Sequence, residues 1–330
     1  MSQTSRRQFL ALSAAPGLLP AFSWAQSPAS PSWPTRPVRL LVAYPPGGVS
    51  DVVARLLAER LQGPLGQPVV IENKAGASGA IAMDAVAKAA PDGYTLGFSA
   101  ISPLTLSPHL GKLPYDPAHD LLPVVNVMAS PVLLLATPGS GLADFAGLLA
   151  QARKQPGQVR WATAGQASLG HIMLEQLRAA AQVDITHVPY KGGGQQMTDA
   201  LSGQFEVLST NASAAVLQHV KSGRLQPLAV GAASRLEALP KVPTLAELGY
   251  HAANLASQFG LLAPARTPAA VVERINAEVN RVLAQPDVRS RLLASENLPA
   301  GGKASDFARL IAQESEANAR IIRQAGIKAE

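Results

Sequence analysis

Two segments of the sequence place small, uncharged hydrogen-bonding groups where a strand-like run gives way to a helix-like one. In the first, Gly47-Gly48-Val49-Ser50-Asp51 follows the apolar run Val38 to Ala43; in the second, Thr163-Ala164-Gly165-Gln166-Ala167-Ser168 follows Val159 to Ala162. In open α/β sheets ligands sit beyond the carboxyl ends of strands, because the next helix presents unpaired amides and partial positive charge at its amino terminus. Gly48 and Ser168 occupy such positions. Gly47 and Gly48 also let the backbone approach a ligand closely, although a tight turn after Pro45-Pro46 would use the same residues. Neither loop contains Lys or Arg. The chemistry on offer is capture of an anion by neutral donors.

Other groups are ambiguous taken singly. Ser168 reads as a helix cap or as a ligand donor, and one hydroxyl does not easily do both. His171, just inside the following helix, reads as a packed or capping residue as readily as a ligand. Tyr190-Lys191-Gly192-Gly193-Gly194 offers a phenol, a cation and flexible amides, or simply a solvated loop. Enzyme chemistry finds no support: there is no histidine pair at metal-ligand spacing, no GxSxG elbow and no Walker-type phosphate loop. Asp51, Ser168 and His171 make a triad only on paper, since residue types carry no geometry. No catalysis, no cofactor and no metal are expected.

The elements that must position these groups alternate. Strands are predicted at Val38 to Ala43, Val69 to Glu72, Tyr94 to Ser99, Val124 to Val127, Val132 to Thr137, Val159 to Ala162, Ile185 to Val188, Phe205 to Ser209 and Leu225 to Val230. Helices are predicted from Ser50-Asp51 through Leu61, at Ile81 to Ala90, Leu142 to Lys154, Leu169 to Ala181 and Gln195 to Leu201, and from Val271 onward. That alternation predicts an α/β protein with right-handed parallel crossovers. The chain has 330 residues, more than one core usually serves, so two lobes are expected, each a doubly wound sheet flanked by helices.

The amino terminus reads as an export label. Ser5-Arg6-Arg7-Gln8-Phe9-Leu10 fits the twin-arginine pattern, the apolar stretch to Phe22 is too short to span a bilayer, and Ser23-Trp24-Ala25 places small residues where a signal peptidase reads. Residues 1–25 are therefore expected to be removed, leaving a periplasmic protein. Without Arg6 and Arg7 the chain keeps 26 basic against 22 acidic residues, spread with no basic run, which argues against nucleic-acid binding. Absence of cysteine excludes disulfides and thiolate metal sites.

Several longer motifs carry a family resemblance. Tyr44-Pro45-Pro46-Gly47-Gly48-Val49-Ser50-Asp51, Glu72-Asn73-Lys74-Ala75-Gly76-Ala77, Ala90-Pro91-Asp92-Gly93-Tyr94-Thr95-Leu96, Leu113-Pro114-Tyr115-Asp116 and His187-Val188-Pro189-Tyr190-Lys191-Gly192 occur in order along the chain. With Leu239-Pro240-Lys241-Val242-Pro243-Thr244-Leu245-Ala246-Glu247 and Ala263-Pro264-Ala265-Arg266-Thr267-Pro268, the sequence resembles the Bug receptors, the substrate-binding components of tripartite tricarboxylate transporters, from about Trp33 to the end. The resemblance implies a monomeric two-lobed periplasmic binding protein of the type II-like clamshell class, with 34–132 and 252–330 in one lobe and 133–251 in the other. It implies a small carboxylate ligand held between the lobes, and as partners the membrane subunits of a transporter, with a membrane sensor kinase as the alternative.

The ligand-binding set so implied is Tyr44, Pro46, Gly47, Gly48, Ser50 and Asp51 from the first loop, and Ala164, Gly165, Ser168 and His171 from the second. Ser99 and Ser102 join from the end of another strand, together with Tyr190, Lys191, Gly192 and Thr210. Thr210 stands where many relatives carry an acidic residue, and Gln258 where many carry an aromatic one. Loss of the acid removes a partner for an ammonium, which favours a non-amino carboxylate.

Overall fold

A computed structural model describes residues 33–325 and 327; the expected export label at 1–25 lies outside the described residues. Strand β1 (Val38–Val42) is buried at every position but Arg39, as a central parallel strand must be. The chain then turns into helix α1 (Val49–Leu65), whose Val53, Leu56, Leu57 and Leu61 fall on one face and are buried. Next come β2 (Val69–Asn73), α2 (Ala80–Ala87), β3 (Thr95–Ala100) and the single turns α3 (Ser102–Thr105) and α4 (Ser107–Leu110). β2 and β3 flank β1, both parallel to it.

Strand β4 (Leu121–Ala136) carries the chain out of this sheet and into a second one. There follow α5 (Phe145–Lys154), β5 (Arg160–Thr163), α6 (Leu169–Ala181), β6 (Thr186–Pro189), α7 (Gly193–Leu201), β7 (Val207–Asn211), α8 (Ala214–Lys221) and β8 (Gln226–Gly231). Strand β9 (Ala256–Pro264) brings the chain back, and α9 (Ala269–Leu283), α10 (Pro286–Leu293), β10 (Leu298–Pro299) and α11 (Ala304–Ala325) complete it. The first sheet runs β2-β1-β3-β9-β4, and the second runs outward from β4 through β7 and β5 to β6, with β8 on β4 as well. β4 is shared: Leu121 to Pro131 pairs with β9, and Val132 to Ala136 pairs with β7 and β8.

The parallel crossovers expected from the alternation are present at β1 with β2 and β3, and at β5 with β6 and β7. Each sheet is nevertheless mixed, because β9 is antiparallel to both β3 and β4 in the first and β4 is antiparallel to β7 and β8 in the second. The outgoing and returning segments run side by side in opposite senses, so their pairing has to be antiparallel. The sequence suggests two strands where β4 is one. Pro131 reads as a breaker, yet it falls where the strand changes partners from β9 to β7 and β8. β9 and α8 escape the pattern reading. Gly260 interrupts the apolar run of β9, and α8 has only eight residues.

Each sheet has its own core. Leu40, Phe98, Met128 and Phe259 pack under α1 and α9 in the first; Leu134, Trp161, Met173 and Leu174 pack in the second. A smaller cluster joins Leu106, Leu110 and Ile322 to Ala167 and Ile172, so that α11, packed on α3, also reaches α6. No described helix is long and apolar enough to cross a membrane.

Candidate ligand-binding site

A cavity of about 260 Å³ lies between the two sheets, far more than the ~10–15 Å³ that a single water needs. On the first sheet's side its wall is the β1 to α1 turn. Asp51 organises that turn. Its carboxylate accepts from the Gly47 amide at 3.0 Å, from Arg55 Nε at 3.0 Å and from Asn73 Nδ2 at 3.0 Å, while Asn73 Nδ2 also donates to the Tyr44 carbonyl at 3.0 Å. Burial opposes the Asp51 charge, but the Arg55, Gly47 and Asn73 donors outweigh it and hold the carboxyl below its usual range. The carboxylate is thus spent on the loop and does not line the cavity. Gly48 caps α1 without a side chain, which leaves the first amides of α1 without a side-chain partner in a segment, Gly48 to Ser50, that lines the cavity.

The second sheet supplies three more helix starts. Ser168 caps α6, its Oγ accepting from the His171 amide at 3.4 Å, and it also forms part of the wall. Gly193 and Gly194 open α7; Gly192 before them lies so close to the Pro45 ring that a Cβ would overlap it. Ser213 caps α8, accepting from the Val216 amide at 3.3 Å, and follows the wall residues Ser209, Thr210 and Asn211. Asn211 Nδ2 donates to Ser257 Oγ at 2.9 Å. Tyr44, Met197, Val132, Val216 and Phe259 add apolar surface.

Of the residues singled out from sequence, Tyr44, Pro46, Gly47, Gly48, Ser50, Ser102, Ala164, Ser168 and Thr210 line this cavity. The other seven stand behind or beside it. Ser99 is wholly buried beneath Gly79, and Gly165 packs against Ser78. Tyr190 turns its hydroxyl to Asp199 at 2.7 Å, and burial, reinforced by that carboxylate, pushes its phenol up to about 12. Lys191 is exposed, Gly192 meets Pro45, and Asp51 holds the loop. His171 lies behind the β5 to α6 turn, with Nδ1 accepting from the Ala167 amide at 3.4 Å and the ring stacked on His187 at 4.2 Å. Gln258 likewise faces away, accepting from Asn126 Nδ2 at 3.0 Å.

Sequence reasoning passed over Ser209, Asn211, Ser213, Ser257, Met197, Val132 and Phe259. The run Ser209-Thr210-Asn211-Ala212-Ser213 carries the same strand, small-polar, helix signal as the two glycine loops and was legible on those grounds. Ser257 and Phe259 reach the cavity only through the pairing of β9 with β4, which no local pattern reports.

No Asp, Glu, Lys, Arg or His is among the lining residues, and the amino termini of α1, α6, α7 and α8 all open onto it. Burial, followed by the neighbouring His171 and Arg178, pushes the His187 imidazole down to about 3, so the stacked pair behind the loop gives the cavity no cation from that ring at neutral pH. Among the described residues no cluster of acidic and histidine side chains could hold a metal.

Two α/β lobes joined by crossing strands, with a cavity of neutral donors between them, define a two-lobed solute-binding receptor rather than an enzyme. The chain belongs to the tripartite tricarboxylate transporter family receptors, whose profile matches residues 53–327. It is 38% identical to Protein BugT of Bordetella pertussis over 301 residues, 90% of this chain and 91% of that one. A Rhodopseudomonas palustris protein solved with adipate superposes with a TM-score of 0.85 at 33% identity, covering 90% of this chain and 100% of that one. MatC from Rhodopseudomonas palustris, solved with bound malate, superposes with a TM-score of 0.83 at 31% identity, covering 88% and 100%.

Proposed function

We propose that this protein is a periplasmic receptor that captures a small, non-amino carboxylate in the cavity between its lobes and delivers it to a tripartite transporter. The observation that carries the reading is the convergence of four helix amino termini on a cavity with no charged side chain. Amides at a helix start donate to an anion and the helix dipole favours it, whereas an ammonium would enter a buried site offering no carboxylate to pair with. Adipate and malate in the two relatives support the ligand class. The lobes are residues 34–131 with 256–330, and 132–255, a few residues from the bounds read in the sequence, and the ligand contacts are the residues that line the cavity. Residues 1–25 serve as a twin-arginine export label cleaved near Ala25, and the mature receptor acts as a monomer.

The test is a thermal-shift screen of the purified mature chain with acetate, succinate, malate, adipate and citrate, set against aspartate and glutamate. A ligand that binds only the native state raises its stability by mass action. Stabilisation by one or more of the plain carboxylates, followed by calorimetric titration, supports the reading; no response to any of them, or a response to the amino acids alone, refutes it.

A further inference from the structure

The two lobes touch where both backbones are bent out of their usual region. In the turn between β2 and α2, Ala77 and Ser78 sit at φ +46 and +51; in the turn before α6, Ala167 sits at +58. Residues with a Cβ occupy this region only where their surroundings hold them there. Ser78 is 5% exposed, and its hydroxyl donates to the Gln166 carbonyl on the opposite lobe. The fit leaves no spare room: at Gly165, where φ is +143, a Cβ would collide with Ser78 Oγ and come within 3.1 Å of the Tyr190 carbonyl. Ser78 is tied to the cavity on its own side too, its carbonyl accepting from the Tyr44 hydroxyl at 3.3 Å.

A chain of hydrogen bonds therefore runs from Tyr44, in the wall of one lobe, through Ser78 to the loop that carries Ala164 and Ser168 in the wall of the other. Neither Ser78 nor Gln166 lines the cavity. We propose that Ser78 is a positioning residue for ligand capture, latching the β5 to α6 loop to the β2 to α2 turn so that Ser168 and the start of α6 are held over the ligand. The inference rests on the reading of the cavity as a carboxylate site. Because the two turns belong to different sheets, the bond forms only as the lobes approach, and its free energy adds to the closed state alone.

The chain has no cysteine, so spin labels attached through Gln62→Cys and Arg224→Cys, exposed positions on α1 and beyond α8, report the separation of the lobes without interference. Distances are measured in the full mature chain, first alone and then titrated with an equimolar mixture of acetate, succinate, adipate and citrate. Ser78→Ala removes the hydroxyl; Ser78→Gly removes it and accepts the left-handed turn without strain, which guards against misfolding of the first. Both variants are expected to show longer interlobe distances than the parent. Half-closure should need roughly three- to tenfold more carboxylate, the worth of one hydrogen bond, while the melting temperature stays within about 2 °C of the parent. A loss of stability alone would not move the distance between folded lobes. Distributions superimposable on the parent's in both variants, at zero and at every added concentration, overturn the latch. A parent that ignores the mixture refutes the carboxylate reading instead, and the distances without ligand then decide the latch by themselves.

Discussion

Ser168 stands at the meeting of two demands, since its hydroxyl caps α6 and also forms part of the cavity wall. Aspartate caps a helix as well as serine does, so Ser168→Asp preserves the fold while placing a negative charge beside the anion. Two like charges about 4 Å apart repel by roughly 4 kcal/mol at an effective dielectric constant near 20, about a thousandfold in affinity. Calorimetric titration of Ser168→Asp with the best carboxylate from the screen should show no measurable binding, with a circular dichroism melt close to the parent's. Lys191→Ala should cost less than about fivefold, because exposed charges contribute at most ~1 kcal/mol and Lys191 does not line the cavity. The opposite ranking of the two variants would make this a salt-bridged site. His187 gives a separate handle. Burial, then His171 and Arg178, lowers its pKa to about 3, whereas an unfolded histidine titrates near 6.5. Between those values the unfolded chain takes up a proton that the native state refuses, so the stabilisation is complete above about pH 6.5 and drains away as the pH falls toward 3. Urea midpoints measured from pH 7 to pH 4 should decline less steeply for His187→Gln than for the parent; parallel curves would place the titration elsewhere.

At the scale of elements, β9 does most to join core and cavity. Phe259 is 2% exposed, meets Phe98 at 6.2 Å and Tyr44 at 6.4 Å between ring centroids, and lines the cavity. Truncating a buried phenylalanine costs about 3–5 kcal/mol. Phe259→Ala should lower the urea unfolding free energy by that amount and weaken carboxylate binding as Tyr44 loses its backing. A change under about 1 kcal/mol would mean that the site collapses to fill the gap. β9 is also the element that sequence patterns conceal most, and the reason is physical. Strands such as β1 and β5 announce themselves through local apolar runs ending in small-residue turns, and those same turns disclose Gly47, Gly48 and Ser168. β9 owes its place to β3 and β4, and so do Ser257 and Phe259 within it. Orientation is likewise hidden. Asp51 and Tyr190 are polar residues beside the cavity whose partners, Arg55 with Asn73 and Asp199, draw them away from it; nothing in the neighbouring residues says which way either side chain turns.

At the scale of the whole molecule, function begins with reaching the right compartment. The adjacent arginines are the feature the twin-arginine machinery reads, so replacing Arg6 and Arg7 together with Lys should leave the protein in the cytoplasm, as judged by fractionation of whole cells. Undiminished periplasmic protein would point to another export route. Among the described residues the chain passes between the lobes on two strands, β4 outbound and β9 returning, and Pro131 and Ala256 are direct partners in that ladder. Directly opposed residues in an antiparallel ladder lie about 5 Å apart. Everything from Val132 to Leu255 is therefore an insertion whose two ends are neighbours, grafted into what would otherwise be the bend of a single β-hairpin. A two-residue Asn-Gly turn spans such a gap, so the host lobe's backbone closes over the seam without re-registering a strand, and the guest lobe is a cassette bounded by that one seam and by the patch where α11 meets α6.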